Sequence, residues 1–261
     1  MILIKNASGG AEMRISGDII EDDWQDIYDW YGIPATSPRS VQNTLSDLNG
    51  EPLTVWLNSY GGHVSAGSAI YTALKNYIGQ VVIKIDGVAV SAASMIAMAG
   101  DQVKISPTAE IMIHKPWTRA EGNDEVMERT MQSLKSGEEA LINAYQLKTG
   151  LERETLAEMM KREEWINAQK AVELHFADEI LFDDEGLLAP PVAADARAIF
   201  ASGALRISED MKRAFEMHRN SNGQKPLAAT VSTPEPPELS SPDEQQKIDR
   251  LRLEIELYAA I

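Results

Sequence analysis

The feature that most narrows the fold is a short unit that occurs twice in tandem. Leu53-Thr54-Val55-Trp56-Leu57 is an apolar, partly β-branched run of the kind found in buried strands. It ends at Asn58-Ser59-Tyr60-Gly61-Gly62, and a helical stretch over 65–77 follows with Ala66, Ala69, Ile70 and Leu74 on one face. The pattern then returns: Val81-Val82-Ile83-Lys84-Ile85 is strand-like, Asp86-Gly87 punctuates, and 91–99 is an apolar helix of small residues and methionines. Strand, glycine turn and helix, repeated, specify α/β architecture with parallel pairing. Strands over 102–105 and 110–113 come next. A long helix is expected over 123–148, with Met127, Met131, Leu134, Leu141 and Tyr145 at helical offsets and Gly150 as its C-terminal stop. A helix over 152–161 leads to Trp165 and a closing helix–strand over 168–181.

Composition changes near residue 186. Of the 17 glycines 15 lie up to Gly186, whereas seven of the 12 prolines lie beyond it. From Leu187 onward there are nine basic and 11 acidic residues, so the front part carries −14 of the net charge of −16. Four segments are expected: a folded domain over 1–186, a short helical extension over 187–220 with its helix near 208–219, a Pro/Ser-rich linker over 221–242, and an amphipathic helix over 243–261. The linker composition is that of a partly disordered tail. In the last segment Ile248, Leu251, Ile255 and Tyr258 form a stripe suited to self-association or docking, unless the terminus is solvated and frayed.

At 44% apolar and 25% charged the chain has a globular composition. Its acidity disfavours nucleic acid as a partner. The absence of cysteine excludes disulfides, thiolate metal sites and a cysteine nucleophile. The opening Met-Ile-Leu-Ile is too short for a signal-peptide core, and no apolar run approaches a membrane span. A soluble, cytoplasmic protein without membrane contact is expected. No metal-ligand cluster and no Gly-x-x-x-x-Gly-Lys-Ser/Thr loop occurs, so no metal or other cofactor is expected and any ATP use belongs to a partner.

Acyl transfer needs a nucleophile, a base within reach of it and backbone N–H donors aimed at the developing oxyanion. Ser94, in Val90-Ser91-Ala92-Ala93-Ser94-Met95, follows a strand at the start of a helix of small residues. A serine there is a candidate nucleophile, although by composition alone it is usually a cap or a core filler. Gly61-Gly62 can present a further N–H in a conformation closed to bulkier residues. The four histidines are His63, His114, His175 and His218. His114, at the end of Ile111-Met112-Ile113, gains weight as a base because Ser94 opens the preceding unit of the same sheet.

Four blocks now resemble a known family: Asn58-Ser59-Tyr60-Gly61-Gly62, Ala92-Ala93-Ser94-Met95, Met112-Ile113-His114-Lys115-Pro116 and 165–173 (WINAQKAVE). In order and spacing they are similar to the blocks of ClpP-type serine peptidases, over roughly residues 12–182, and most of all to the ClpP-related head-maturation proteases of phages and prophages. The resemblance implies a ClpP/crotonase-like spiral of β-β-α units whose long helix is a handle, assembled into a ring-forming homo-oligomer. It implies Ser94 as nucleophile, His114 as general base, and Gly62 and Met95 as oxyanion donors. The family's aspartate has Glu163 in its place, with Glu164 and Asp178 as alternatives. Tyr60 stands where proline is usual, and Ser91 where cellular enzymes carry glutamine. The implied partners are protein or peptide substrates, with an ATP-driven unfoldase or a capsid or scaffold protein as further possibilities. Two rivals are a catalytically silent scaffold of the same fold and a crotonase-like acyl-CoA enzyme, which would have no need of both Ser94 and His114.

Overall fold

The structure, a computed structural model, describes residues 3–5, 10–183, 211–213 and 215–216. Its main sheet runs β1 (Leu3–Lys5), β2 (Ala11–Ser16), β5 (Leu53–Ser59), β6 (Val81–Val90), β7 (Gln102–Ile105) and β10 (Glu179–Ile180) in spatial order. From β2 to β10 every pairing is parallel. The antiparallel ones are β1 on β2, and β9 (Glu164–Asn167) on β8 (Glu110–Ile113). A two-stranded parallel sheet, β3 (Asp18–Ile19) with β4 (Ala35–Thr36), lies beside it. The expected α/β spiral is the fold observed.

The strands alternate rather than being buried on both faces. Met13 and Ile15, Leu53, Val55 and Leu57, and Val81, Ile83 and Ile85 are buried in one core. Helices α2 (Pro38–Ser46), α3 (Val64–Lys75) and α4 (Ala92–Ala97) contribute Val41, Leu45, Ala66, Ile70, Leu74 and Ile96 to it. The opposite face is polar and half-buried. There Arg14 pairs with Asp86 at 2.7 Å, Trp56 Nε1 donates to Glu12 at 2.9 Å, and Lys84 Nζ sits 4.9 Å above the Trp56 ring.

The expected break at Asp86-Gly87 does not occur; β6 runs through it to Val90. The reason is a change of partner. The β5–β6 register shifts between Leu57 and Ser59, and Asn58 Oδ1 accepts the Val88 N–H at 3.1 Å. Up to Ile85 the far edge of β6 pairs with β7, and from Val88 it pairs with β8. One strand therefore serves two neighbours, and the sheet opens where it switches.

Helix α5 (Asp124–Thr149) starts at an Asn123 side-chain cap on the Val126 N–H and ends at Gly150, φ 73°. Its apolar stripe divides. Leu141 and Tyr145 are buried in the domain, whereas Met131, 56% exposed, and Met127 face outward on the N-terminal half. The stripe is thus a core seam below and an open face above. Helices α6 (Arg153–Lys161) and α7 (Ala168–Glu173) close the chain around β9.

A satellite core of Ile20, Ile27 and Tyr28 forms around α1 (Gln25–Tyr31). Residues 211–213 and 215–216 are helical and meet it. Tyr31 Oη donates to the Met211 carbonyl at 2.9 Å, Lys212 Nζ lies 4.6 Å over the Trp24 ring, and the Phe215 and Trp30 rings are 5.7 Å apart. The boundary at residue 186, the linker over 221–242 and the helix over 243–261 lie outside the described residues. Among the described residues no helix is long and apolar enough to cross a membrane, and no three His, Asp or Glu are grouped to hold a metal ion.

Candidate active site

Two strand registers assemble the site. In the parallel pair β6–β8, Val90 lies opposite Met112, and the Ser91 N–H continues the ladder to the Met112 carbonyl at 2.9 Å. In the antiparallel pair β8–β9, Ile113 lies opposite Glu164, so one step further His114 comes opposite Glu163. Ser91, His114 and Glu163 thus stand at the ends of three adjoining strands. The loop after His114 is tied down as well, because Lys115 pairs with Glu138 of α5 at 2.7 Å.

Ser91 Oγ lies 2.7 Å from His114 Nε2. The backbone of Ser91 takes φ 57°, ψ −125°, outside the regions an L side chain favours. Such a conformation costs on the order of 1–3 kcal/mol and persists only where its surroundings enforce it. Here they do: the strand ladder holds the Ser91 N–H, while its carbonyl accepts the Ser94 N–H at 3.0 Å and the Met95 N–H at 3.4 Å. The turn throws the Ser91 side chain out of the strand–helix path and toward the imidazole.

Contrary to expectation, the structure does not bring Ser94 and His114 together. Ser94 is wholly buried in the first turn of α4; its Oγ donates to the Ser91 carbonyl at 2.6 Å and shares a 2.8 Å hydrogen bond with the Tyr145 hydroxyl. One helical turn separates the two serines, and that turn points Ser94 into the core. Met95, an expected oxyanion donor, is turned along the helix for a related reason. Its N–H lies along the helix, bonded to the Ser91 carbonyl, and its side chain is buried.

The N–H groups of Gly62, the other expected donor, and of Ala92 are differently placed. The Ala92 N–H belongs to the first residue of α4 and has no intrahelical acceptor. The parallel bridge between Ile19 and Gly62 uses the Gly61 carbonyl and the His63 N–H, which leaves the Gly62 N–H out of the ladder. Both glycines are sterically required. A Cβ on Gly61 (φ 88°) would come within 2.8 Å of Ser91 Cβ and 2.9 Å of Ala92 N, and one on Gly62 (φ 150°) within 2.1 Å of the Ile19 carbonyl oxygen. The turn at 61–62 is packed directly against the turn at 91–92.

The carboxylates separate clearly. Burial lowers the pKa of His114 from its ordinary 6.5, and the charge of Glu163 raises it in part. Glu164 is held by Arg162 at 3.1 Å. Asp178 binds the Val103 N–H at 2.7 Å and Lys148 at 2.6 Å, fixing β7 and α5 at the far edge of the sheet. Of the three, Glu163 is the one whose charge acts on His114; its side chain is exposed. His63 is exposed and faces Glu21 at 3.5 Å, His175 is an exposed turn residue at φ 61°, and His218 lies outside the described residues.

Sequence alone favours Ser94, because Ala92-Ala93-Ser94-Met95 resembles the family's block while Ser91, three residues earlier, falls on the position of the family's glutamine. The signal that separates them is the strand end. A residue directly after the last ladder position is free to turn outward, and one three residues into the helix is not.

Residues 40–184 match the family model for Clp protease. The chain is 30% identical over 134 residues to the ATP-dependent Clp protease proteolytic subunit of Bacteroides fragilis, covering 51% of this chain and 65% of that protein. It is 26% identical over 151 residues to ATP-dependent Clp protease proteolytic subunit 2 of Pseudomonas aeruginosa, covering 56% and 74%. With the corresponding subunit of Ligilactobacillus salivarius it shares 31% identity over 129 residues, covering 49% and 66%. The chain therefore spans a little less than two thirds of the Bacteroides relative it matches. Since the family model takes in more than half of the 261 residues, this chain belongs to the Clp protease family.

Proposed function

We propose that the chain is a serine peptidase subunit in which Ser91, not Ser94, is the nucleophile. The observation that carries this reading is the 2.7 Å contact of Ser91 Oγ with His114 Nε2 at a backbone held out of its relaxed range. Ser91 Oγ attacks the scissile carbonyl carbon as His114 Nε2 takes its proton. The carbonyl oxygen, now negative, meets the N–H groups of Ala92 and Gly62. Collapse expels the amine, which recovers the proton from His114 and leaves an acyl ester on Ser91. A water activated by the same imidazole then releases the carboxylic acid and restores the serine. For Nε2 to accept, the ring's other proton sits on Nδ1, and the negative charge of Glu163 favours the imidazolium that forms. The buried surroundings of His114 keep it neutral, and so competent as a base, at neutral pH.

Substrates are unfolded or scaffold-attached polypeptide, cut within a ring of like subunits. That assembly and the head-maturation role come from the resemblance in sequence and from the long segment after residue 186. The test is cleavage of a fluorogenic peptide and of an unfolded protein by wild-type, Ser91→Ala and His114→Ala chains. Cleavage that vanishes in both variants is expected, and cleavage that survives in Ser91→Ala overturns the assignment. A pull-down with Ser91→Ala distinguishes the substrate classes: capsid protein alone supports head maturation, and a broad set of cell proteins supports housekeeping proteolysis. Wild-type protein that assembles yet neither cleaves nor reacts with a serine-directed fluorophosphonate would instead favour the silent scaffold.

A further inference from the structure

The Ser94–Tyr145 pair is a buried polar chain that the mechanism above does not use. Tyr145 is wholly buried on α5, its ring 5.8 Å from that of Phe176. Ser94 is equally buried on α4. The Ser94 hydroxyl proton goes to the Ser91 carbonyl at 2.6 Å, so its oxygen is left to accept from the Tyr145 hydroxyl at 2.8 Å. The chain therefore runs in one direction: Tyr145 to Ser94 to the carbonyl of the strained residue.

Where it ends is informative. The Ser91 carbonyl already accepts two backbone N–H groups, at 3.0 and 3.4 Å, which is what a helix start supplies. The third and shortest bond comes from a side chain. That carbonyl and the Ala92 N–H belong to a single planar trans peptide, in which C=O and N–H point in opposite directions. Fixing the oxygen toward the core fixes the Ala92 N–H away from it, toward the turn at Gly61, whose hypothetical Cβ would lie only 2.9 Å from Ala92 N. A peptide plane flanked by φ 57° has no intrinsic preference for that orientation.

We propose that Ser94 and Tyr145 are positioning residues that lock the Ser91–Ala92 peptide plane, so that the Ala92 N–H faces the developing oxyanion. The proposal rests on Ser91 being the nucleophile. It differs from a purely structural role in what it touches. A locked oxyanion donor acts on the transition state, so it lowers kcat and leaves KM unchanged when lost. Because Tyr145 acts through Ser94, its hydroxyl matters only while the Ser94 hydroxyl is present.

The test compares wild type, Ser94→Ala, Tyr145→Phe, the double variant and Ser91→Ala as full-length chains, reading kcat and KM on a peptide and the affinity of a peptide aldehyde. The aldehyde adds to the nucleophile and places a hemiacetal oxygen in the same position as the oxyanion. Tyr145→Phe is nearly isosteric, so it reads the hydroxyl even if Ser94→Ala folds poorly. Losing one neutral hydrogen bond of this kind is expected to cost roughly tenfold in kcat and in aldehyde affinity, with KM constant. Tyr145→Phe should add nothing in the Ser94→Ala background. The pH midpoint of kcat, which belongs to His114, should stay in place. Unchanged kcat and aldehyde affinity in both single variants, or a rise in KM alone, would overturn the positioning role. If these results came with an inert Ser91→Ala, the nucleophile assignment would stand and only this inference would fall; an active Ser91→Ala would remove both.

Discussion

Ser91 and Ser94 are three residues apart, joined by Ala92-Ala93, and physically opposite. Ser91 is half-buried, strained at φ 57° and in contact with His114. Ser94 is wholly buried in a relaxed helical turn and bonded to Tyr145 and to the backbone. The difference comes from where β6 stops. The last ladder bond is made by the Ser91 N–H, so the chain must turn at that residue, and the turn decides which hydroxyl leaves the core. Chemistry at a strand end is set by backbone direction before it is set by side-chain identity.

The contrast breaks most visibly in activity. Ser91→Ala should lower kcat/KM on a peptide by on the order of 10⁴-fold or more, His114→Ala by a similar factor, and the two together no further, because the pair acts as a unit. Ser94→Ala should fall well short of that. Equal losses at positions 91 and 94, measured by steady-state kinetics, would erase the distinction.

Stability should rank the two serines the other way. Ser94→Ala leaves the buried Tyr145 hydroxyl without its partner, an expected loss of about 1–3 kcal/mol in denaturant unfolding. Ser91→Gly removes the side chain that its backbone conformation penalises and should stabilise by up to about 1 kcal/mol while abolishing cleavage. A destabilised Ser91→Gly would mean that position 91 stores no strain.

The smallest effect concerns pH. Activity requires neutral His114. Its pKa lies below the ordinary 6.5 because burial outweighs the opposing charge of Glu163, so the acid limb of kcat/KM should fall below pH 6.5. Glu163→Gln removes the one influence that raises the pKa, so the limb should move further toward acid, by less than a unit for an exposed carboxylate. A limb that stays in place, or moves toward alkali, would take Glu163 out of the site.

Much of this was legible in the chain itself. The tandem strand–turn–helix units gave the parallel sheet, residue type and order singled out the Gly61-Gly62 turn and His114, and only the resemblance to ClpP-type peptidases pointed to Glu163. Three things were not. Periodicity marks Asp86-Gly87 as a stop, yet a strand that exchanges one neighbour for another passes through it, and that exchange is a tertiary event. The stripe on α5 shows no division in the sequence, and packing against α3, α4 and α6 is what covers Leu141 and Tyr145 and leaves Met131 open. The two serines are degenerate in local pattern, and the register of β6 on β8 is what separates them.

The most direct measurement is to label the assembled wild-type protein with a fluorophosphonate and locate the adduct by peptide mass spectrometry. The adduct should sit on Ser91 and should vanish in His114→Ala. Modification of Ser94 with Ser91 untouched would show that the helix turn opens to expose a hydroxyl buried in this fold, and the assignment of the nucleophile would be wrong.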